Sequence, residues 1–199
     1  RKLITWEYAR FTKTVMASFF GDLQANFDCI MPDMSSLVCQ KKGMTKEAAY
    51  ARASTMGNLS RQVRVATGTS TETYSHDPGQ PSLPGEGQGK ADSMALWTLI
   101  SSEILKVHST MCHGVEMIDV TGTISSRRVD DAYVDDTDTY ATAPETNSTD
   151  EAIENLTNHT QIWTMLVAAT GGLLAFHKCM WQILVWIRVG GEYLMARNR

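Results

Sequence analysis

The sequence predicts an α+β fold in which an antiparallel sheet of three or four strands is backed by helices. Three observations predict it. Ala91–Val107 and 150–168 repeat apolar residues at helical spacing, Gly114–Ser126 and Val129–Tyr140 each read as two short strands around a polar turn, and Met16–Leu23 is a short apolar run that reads as a buried strand. With 199 residues, 43% hydrophobic and 20% charged, the chain can bury one ordinary core, and one domain over 1–199 is expected. A wholly disordered chain is excluded, and 14 glycines and 5 prolines without periodicity exclude a collagen-like one.

Apolar residues at Leu3, Trp6, Phe11 and Val15 predict a first helix with Arg10 and Lys13 turned outward. The strand Met16–Leu23 carries Asp22 at its end. Residues 34–43 and 46–57 read as helices, with Met34, Leu37 and Val38 on one face, Gly43 as a stop and Thr45 as a start. Gln62–Thr67 alternates, Gly68 turns the chain and Thr71–Tyr74 returns, a short hairpin. His76–Gly85 gathers three of the five prolines and must be loop. The helix Ala91–Val107 then puts Leu96, Trp97, Ile100, Ile104 and Val107 on one side, with Asp92 in its first turn. The hairpin Gly114–Ser126 turns at Thr121-Gly122, and Val129–Val134 runs into Asp135-Asp136 before Thr137–Tyr140 returns. A polar linker is expected over 141–150, and Ser148-x-x-Glu151 is a capping box that opens a helix to about Ala168, with Ile153, Leu156, Trp163 and Leu166 or Val167 inward. Leu173–Phe176 and Gln182–Ile187 finish as strands.

Charge is uneven although the net is only −4. Residues 1–70 hold ten Lys/Arg against five Asp/Glu, residues 71–165 four against sixteen, and residues 166–199 four against one. A basic arm, an acidic middle and a basic tail suit divalent cations held between surfaces that touch a polyanion; a solvated acidic loop is the plain alternative. Cys29, Cys39, Cys112 and Cys179 show no zinc spacing and read as reduced, mostly buried thiols. The longest apolar stretch, Ile162–Phe176, falls short of the roughly 18 to 20 residues a membrane span needs. The opening Arg-Lys-Leu has neither an initiator methionine nor a secretory signal pattern, so an excised piece of a longer chain is expected.

An apolar strand ending in Asp22, then Phe27-Asp28, a Gly-rich loop entering a helix at Gln88-Gly89, and a hairpin tipped by Tyr133-Val134-Asp135-Asp136 form an ordered set. Asp-Asp alone carries little weight, and five aspartates (130, 131, 135, 136, 138) could simply make a solvated turn. An EF-hand starting at Asp136 fails, because Ala141 stands at the glycine position and Asn147 at the closing glutamate. Pro84–Lys90 fails as a Walker loop, with Pro84 in place of glycine and Ala91 in place of Ser or Thr. The complete set, however, resembles the palm of reverse transcriptases, especially those of retrotransposons, with motifs A, B, C and D in order from the helix before Asp22 to about Trp186.

The resemblance implies a palm-like sheet with partial fingers, the upstream fingers strands and the thumb lying beyond this stretch. It implies an intracellular RNA-directed DNA polymerase, a nucleotidyltransferase acting on an RNA template, a DNA or RNA primer and dNTP, with no membrane partner. Such chemistry uses two Mg²⁺, with Mn²⁺ as the alternative, so carboxylates must converge from separate strands. Asp22 and Asp135 are the expected metal ligands; Asp136 is adjacent, and since successive side chains on a strand diverge, its metal role is expected to be lesser. Phe27 falls where the family places an aromatic gate against a 2′-hydroxyl, with a core phenylalanine as the plain reading. Gln88 and Gly89 would contact the nascent base pair, and Tyr133 would line the substrate site. Ser93 matches the family's serine, while Met94 stands where many relatives have proline.

Gly171–Lys178 resembles motif D, which makes Lys178 the expected proton donor to pyrophosphate, or else a surface charge, and His177 structural. Arg10, Lys13, Lys41, Lys42, Arg61 and Arg64 are candidates for template-primer phosphates. Two rivals stand beside this expectation. Sequons at Asn58, Asn147, Asn155 and Asn158 suit a secreted or membrane-anchored glycoprotein fragment, and the polymerase set could persist in an inactive relic.

Overall fold

Alternating apolar residues need a sheet to bury one side and helices to cover it, and the computed structural model supplies both. It describes residues 2–24, 29–58, 62, 64–72, 92–134 and 136–196. The fold is mixed α and β with antiparallel sheets, and the chain divides into two units, one formed by Arg1–Gln24, Ile104–Ala168 and Leu174–Arg199, the other by Ala25–Glu103 and Ala169–Leu173.

The first unit is organised by β1 (Met16–Gln24), the long strand expected from the MASFFGDL run. Helix α1 (Lys2–Thr12) precedes it. Of the later elements, α4 (Ser93–Met111) enters this unit at Ile104 and leads to β4 (Val115–Ile118), β5 (Ser125–Arg128), β6 (Asp130–Tyr133) and β7 (Asp136–Thr142). Helix α5 (Thr149–Ala169) follows, then β8 (Leu173–Leu174), β9 (Met180–Leu184), β10 (Trp186–Val189) and β11 (Glu192–Met195). The sheet runs β6-β7-β1-β8, with β9 also paired to β1, and the β1–β7, β6–β7 and β1–β9 ladders are antiparallel. Strands β1 and β7 are neighbours in space but far apart in sequence, with part of α4, β4, β5 and β6 of this unit between them, and β7 lies between β1 and β6 in the sheet.

Register assigns the faces, because directly opposed residues share one. Ala17, Phe19, Thr139 and Asp130 lie on the face turned to α4 and α5, where Ile104, His108, Leu156, Trp163 and Val167 are buried. Met16 and Tyr140 lie on the other face, packed with Ala9 of α1, Val115 of β4 and Leu184 of β9, and flanked by Trp6, Tyr8, Met117 and Trp186. Gly114 is required beside this cluster, since a Cβ there would stand 1.9 Å from the Arg128 carbonyl oxygen.

The second unit holds α2 (Pro32–Lys41), α3 (Lys46–Gly57), the small hairpin β2 (Arg64–Val65) and β3 (Gly68–Thr69), and the start of α4. Pro32 at the first helical turn starts α2, and Gly43 (φ +99°) follows its end. Thr45 caps α3 by accepting from the Ala48 amide at 3.4 Å. Arg52 ties the helices together, donating to Ser35 Oγ at 2.6 Å and to Asp92 at 3.0 Å.

Several boundaries differ from the sequence expectation. Residues 141–150 are not all linker: β7 continues to Thr142, and Ala141, Thr142 and Ala143 are buried. The small hairpin turns at Ala66-Thr67 rather than at Gly68, which is itself in β3. Strand β8 ends at Leu174, and the expected strand 182–187 is two, β9 and β10. Leu3, Phe11, Leu37, Val107 and Ile153 are exposed rather than inward. The capping box forms by half: Ser148 Oγ accepts from the Glu151 amide at 3.5 Å, while Glu151 takes the Thr146 hydroxyl instead of the Ser148 amide. Cys39 and Cys112 are buried, Cys29 and Cys179 partly so, and all four thiols are free.

Candidate active site

Along the second sheet face the chain turns polar within three positions. Opposed pairs run Phe20–Asp138, then Asp22–Asp136 across β1 and β7, and Asp131–Asp138, then Tyr133–Asp136 across β6 and β7. Alternation thus gathers Asp22, Asp131, Asp136 and Asp138 on one face at one end of the sheet. They line a cavity of about 810 Å³ together with Phe20, Tyr133 and Lys178. The acids are not equivalent. Arg128 donates to Asp131 Oδ1 at 2.6 Å and Tyr140 Oη to Asp131 Oδ2 at 3.2 Å, and Lys178 Nζ lies 3.2 Å from Asp22 Oδ2. Burial and the Asp131 and Asp138 carboxylates hold the Tyr140 phenol well above its ordinary range, so it stays a donor.

The hairpin tip is tightly turned. Val134 has φ +57°, a left-handed conformation that a β-branched residue rarely adopts. It separates exposed Tyr133 from the acid pair.

Of the residues singled out from sequence, Asp22, Tyr133, Asp136 and Lys178 converge on this cavity. Asp136 stands directly opposite Asp22, although strand geometry alone suggested the lesser metal role for it. Asp135, Phe27, Gln88 and Gly89 lie outside the described residues, as do the proline-rich loop and Arg61. Ser93 and Met94 are the first two residues of α4, the serine buried and the methionine exposed. His177, expected to be structural, is exposed.

Most of the candidate phosphate contacts are engaged within the protein. Arg10 pairs with Glu7 at 2.9 Å, Lys13 lies 4.4 Å from the Trp186 ring centroid, and Lys41 and Lys42 both grip Glu103, lowering its carboxyl to about 2. Arg64 sits on an exposed two-residue strand. Sequence reading passed over Asp131 and Asp138 as site residues. Their signal was period two: Asp131 and Tyr133 on one arm, Asp136 and Asp138 on the other.

No family model matches the chain, and neither does any curated protein.

Carboxylate oxygens are the ligands a hard dication such as Mg²⁺ takes, so Asp22 and Asp136 suit it chemically. Among the described residues no group of three His, Cys, Asp or Glu side chains could hold a metal ion, and Asp135 is not among them. Two of the four sequons fit the fold poorly as glycosylation sites. Asn147 accepts from the Val15 amide at 2.6 Å and donates to the Lys13 carbonyl at 3.2 Å, and Asn155 donates to the Thr142 carbonyl at 3.0 Å, so both side-chain amides are used internally. Asn158 is exposed. Among the described residues no helix is long and apolar enough to cross a membrane.

Proposed function

We propose that the chain is the palm, with part of the fingers, of a reverse-transcriptase-like polymerase that adds deoxynucleotides to a primer on an RNA template. The observation that supports it is the register pair Asp22–Asp136, which brings into one cavity acids 114 positions apart in sequence. The order of the elements, β1 with Asp22, α4 after the Gly-rich loop, the hairpin β6–β7, then β8 and the turn to Lys178, also suits motifs A, B, C and D taken in sequence.

In this reading Asp22 and Asp136, with Asp135, would hold two Mg²⁺. Bound there, the metal would supply Lewis-acid stabilisation of charge on the attacking primer oxygen and on the triphosphate. Lys178 waits beside Asp22 as an exposed ammonium that can turn to a triphosphate, neutralise it and donate a proton to departing pyrophosphate. Tyr133 offers a ring at the mouth of the cavity against which a nucleotide or primer end can rest. Phe27 would exclude the 2′-hydroxyl, and Gln88-Gly89 would approach the nascent base pair.

The test is Mg²⁺-dependent primer extension on an RNA template by the full chain, against Asp22→Asn. The variant is expected to lose roughly a thousandfold or more, about 4 kcal/mol of transition-state stabilisation, with its thermal melt nearly unchanged. Extension retained by Asp22→Asn, or no Mg²⁺-dependent incorporation by the unaltered chain, overturns the proposal. Phe27→Val is expected to admit ribonucleotides, and unchanged sugar selectivity returns Phe27 to a core role.

A further inference from the structure

Beneath the acid-bearing hairpin lies a buried polar cluster that the chemistry above does not use. His108 of α4 is fully buried, and each ring nitrogen faces an acceptor: Nδ1 lies 2.8 Å from Asp130 Oδ2 and Nε2 lies 3.0 Å from the His159 carbonyl oxygen. A carbonyl oxygen only accepts, so Nε2 carries a proton; with Asp130 as a carboxylate, Nδ1–H is the second donor and the ring is an imidazolium. The other oxygen of Asp130 accepts the Thr139 hydroxyl at 2.9 Å. Trp163 closes over the ring edge-on, with centroids 5.5 Å apart.

The surrounding groups agree with this charge assignment. Burial works against the charged His108 ring, yet the hydrogen bond and charge of Asp130 outweigh it and hold the ring above the ordinary histidine range. His159, desolvated and facing that positive charge, is pushed down to about 4 and stays neutral, with Nε2 accepting from the His113 amide at 3.2 Å. The Cys112 thiol is pushed up to about 11 by burial and by the Asp130 carboxylate. The ring thus meets Asp130 from β6 and His159 from α5; the Thr139 hydroxyl from β7 bonds Asp130, the His113 amide bonds His159, and Cys112 feels the Asp130 charge.

Asp130 pairs with Thr139 in the same ladder that pairs Tyr133 with Asp136 three steps on. A slip of one residue in that ladder would turn Asp131 and Tyr133 of β6 away from the acid face. We propose that His108, acting through Asp130, is a positioning residue that pins β6 to α4 and α5 and so fixes the β6–β7 register that sets Tyr133 across from Asp136 and Asp131 across from Asp138 on the acid face. Its purpose rests on the nucleotidyl-transfer reading; its geometry does not.

The experiment combines histidine-ring and backbone-amide NMR with Mg²⁺ calorimetry on the full chain, between pH 6 and 9. Expected are a doubly protonated His108 ring at pH 7, and Mg²⁺ affinity that falls tenfold or more as that ring titrates. Asp130→Asn should flatten this pH profile, and His108→Gln, which keeps an amide donor without charge, should weaken Mg²⁺ tenfold or more at temperatures well below its melt. His113→Gln should do neither. A neutral His108 ring at pH 7, or Mg²⁺ affinity that is unchanged or tighter in His108→Gln, overturns the proposal. If the unaltered chain binds no Mg²⁺, the polymerase reading fails, and the Asp136 and Thr137 amide shifts decide separately: displaced in His108→Gln they support the clamp, unmoved they overturn it. Should His108→Gln fail to fold, Thr139→Val, which removes one hydrogen bond to Asp130, is read against the same criteria.

Discussion

At the Met16 end of β1 the sheet face is shut: Met16 and Tyr140 have no exposed surface, and Ala9, Val115 and Leu184 seal them. At the Asp22 end, six residues along the same strand and on the same face, the neighbours are Asp136, Tyr133 and Lys178 around an open cavity. The two ends are coupled by alternation. Packing at the closed end chooses which side chains face inward, and that choice places the acids at the open end. A site of like charges cannot choose its own register, since bringing carboxylates together is unfavourable without a counter-charge; the apolar end must do so.

The largest break in this comparison is Tyr140→Ala. It removes a fully buried aromatic, and about 3–5 kcal/mol of stability is expected to go with it, read from denaturant unfolding. Asp136→Asn, by contrast, should leave unfolding within about 0.5 kcal/mol, because Asp136 is exposed. An equal loss in both would erase the distinction between the two ends.

A second prediction concerns pH. His159 titrates lower in the folded chain than unfolded, so the unfolded state binds the extra proton from about 6.5 down to about 4, and stability should drop as pH falls through that window. His108 titrates higher when folded, so its contribution is complete below about 6.5 and is lost as pH rises through its folded value. Together they predict a melting maximum near neutrality, with limbs approaching about 1.4 kcal/mol per pH unit for each proton. His159→Gln should flatten the acid limb only, and Asp130→Asn the alkaline one.

The smallest expected effect is at Lys178. Its ion pair with Asp22 is half exposed, worth about 0.2–1 kcal/mol, so Lys178→Leu should scarcely move the melt. The chemical step should slow tenfold or more with a changed pH profile; an unchanged profile would return Lys178 to a surface charge.

Much of the first unit was legible in the sequence. β1, the hairpin β6–β7, and helices α4 and α5 arise from apolar residues at clear spacing, and Asp22, Tyr133 and Asp136 could be placed near strand ends from that spacing. What failed were interfaces made of small side chains. Helix α1 buries Thr5 and Ala9 while Leu3 and Phe11 face outward, and α2 buries Ser35 and Ser36 while Leu37 is exposed. Close backbone approach favours small residues, and hydrophobic patterning does not register them. Ala141–Ala143 were misread for the same reason. His108 was legible in principle, four positions after Ile104 on the stripe of Trp97 and Ile100, but a lone histidine on an apolar face gives no sign of an aspartate from another strand.

The left-handed turn at Val134 sets two qualities against each other at one position. Glycine there would relieve roughly 1–2 kcal/mol of backbone strain and give a more heat-resistant chain. It would also let the tip wander, loosening the spacing between the tyrosine and the aspartates on either side. A thermostability screen would therefore be expected to select Val134→Gly, and a screen for turnover to reject it.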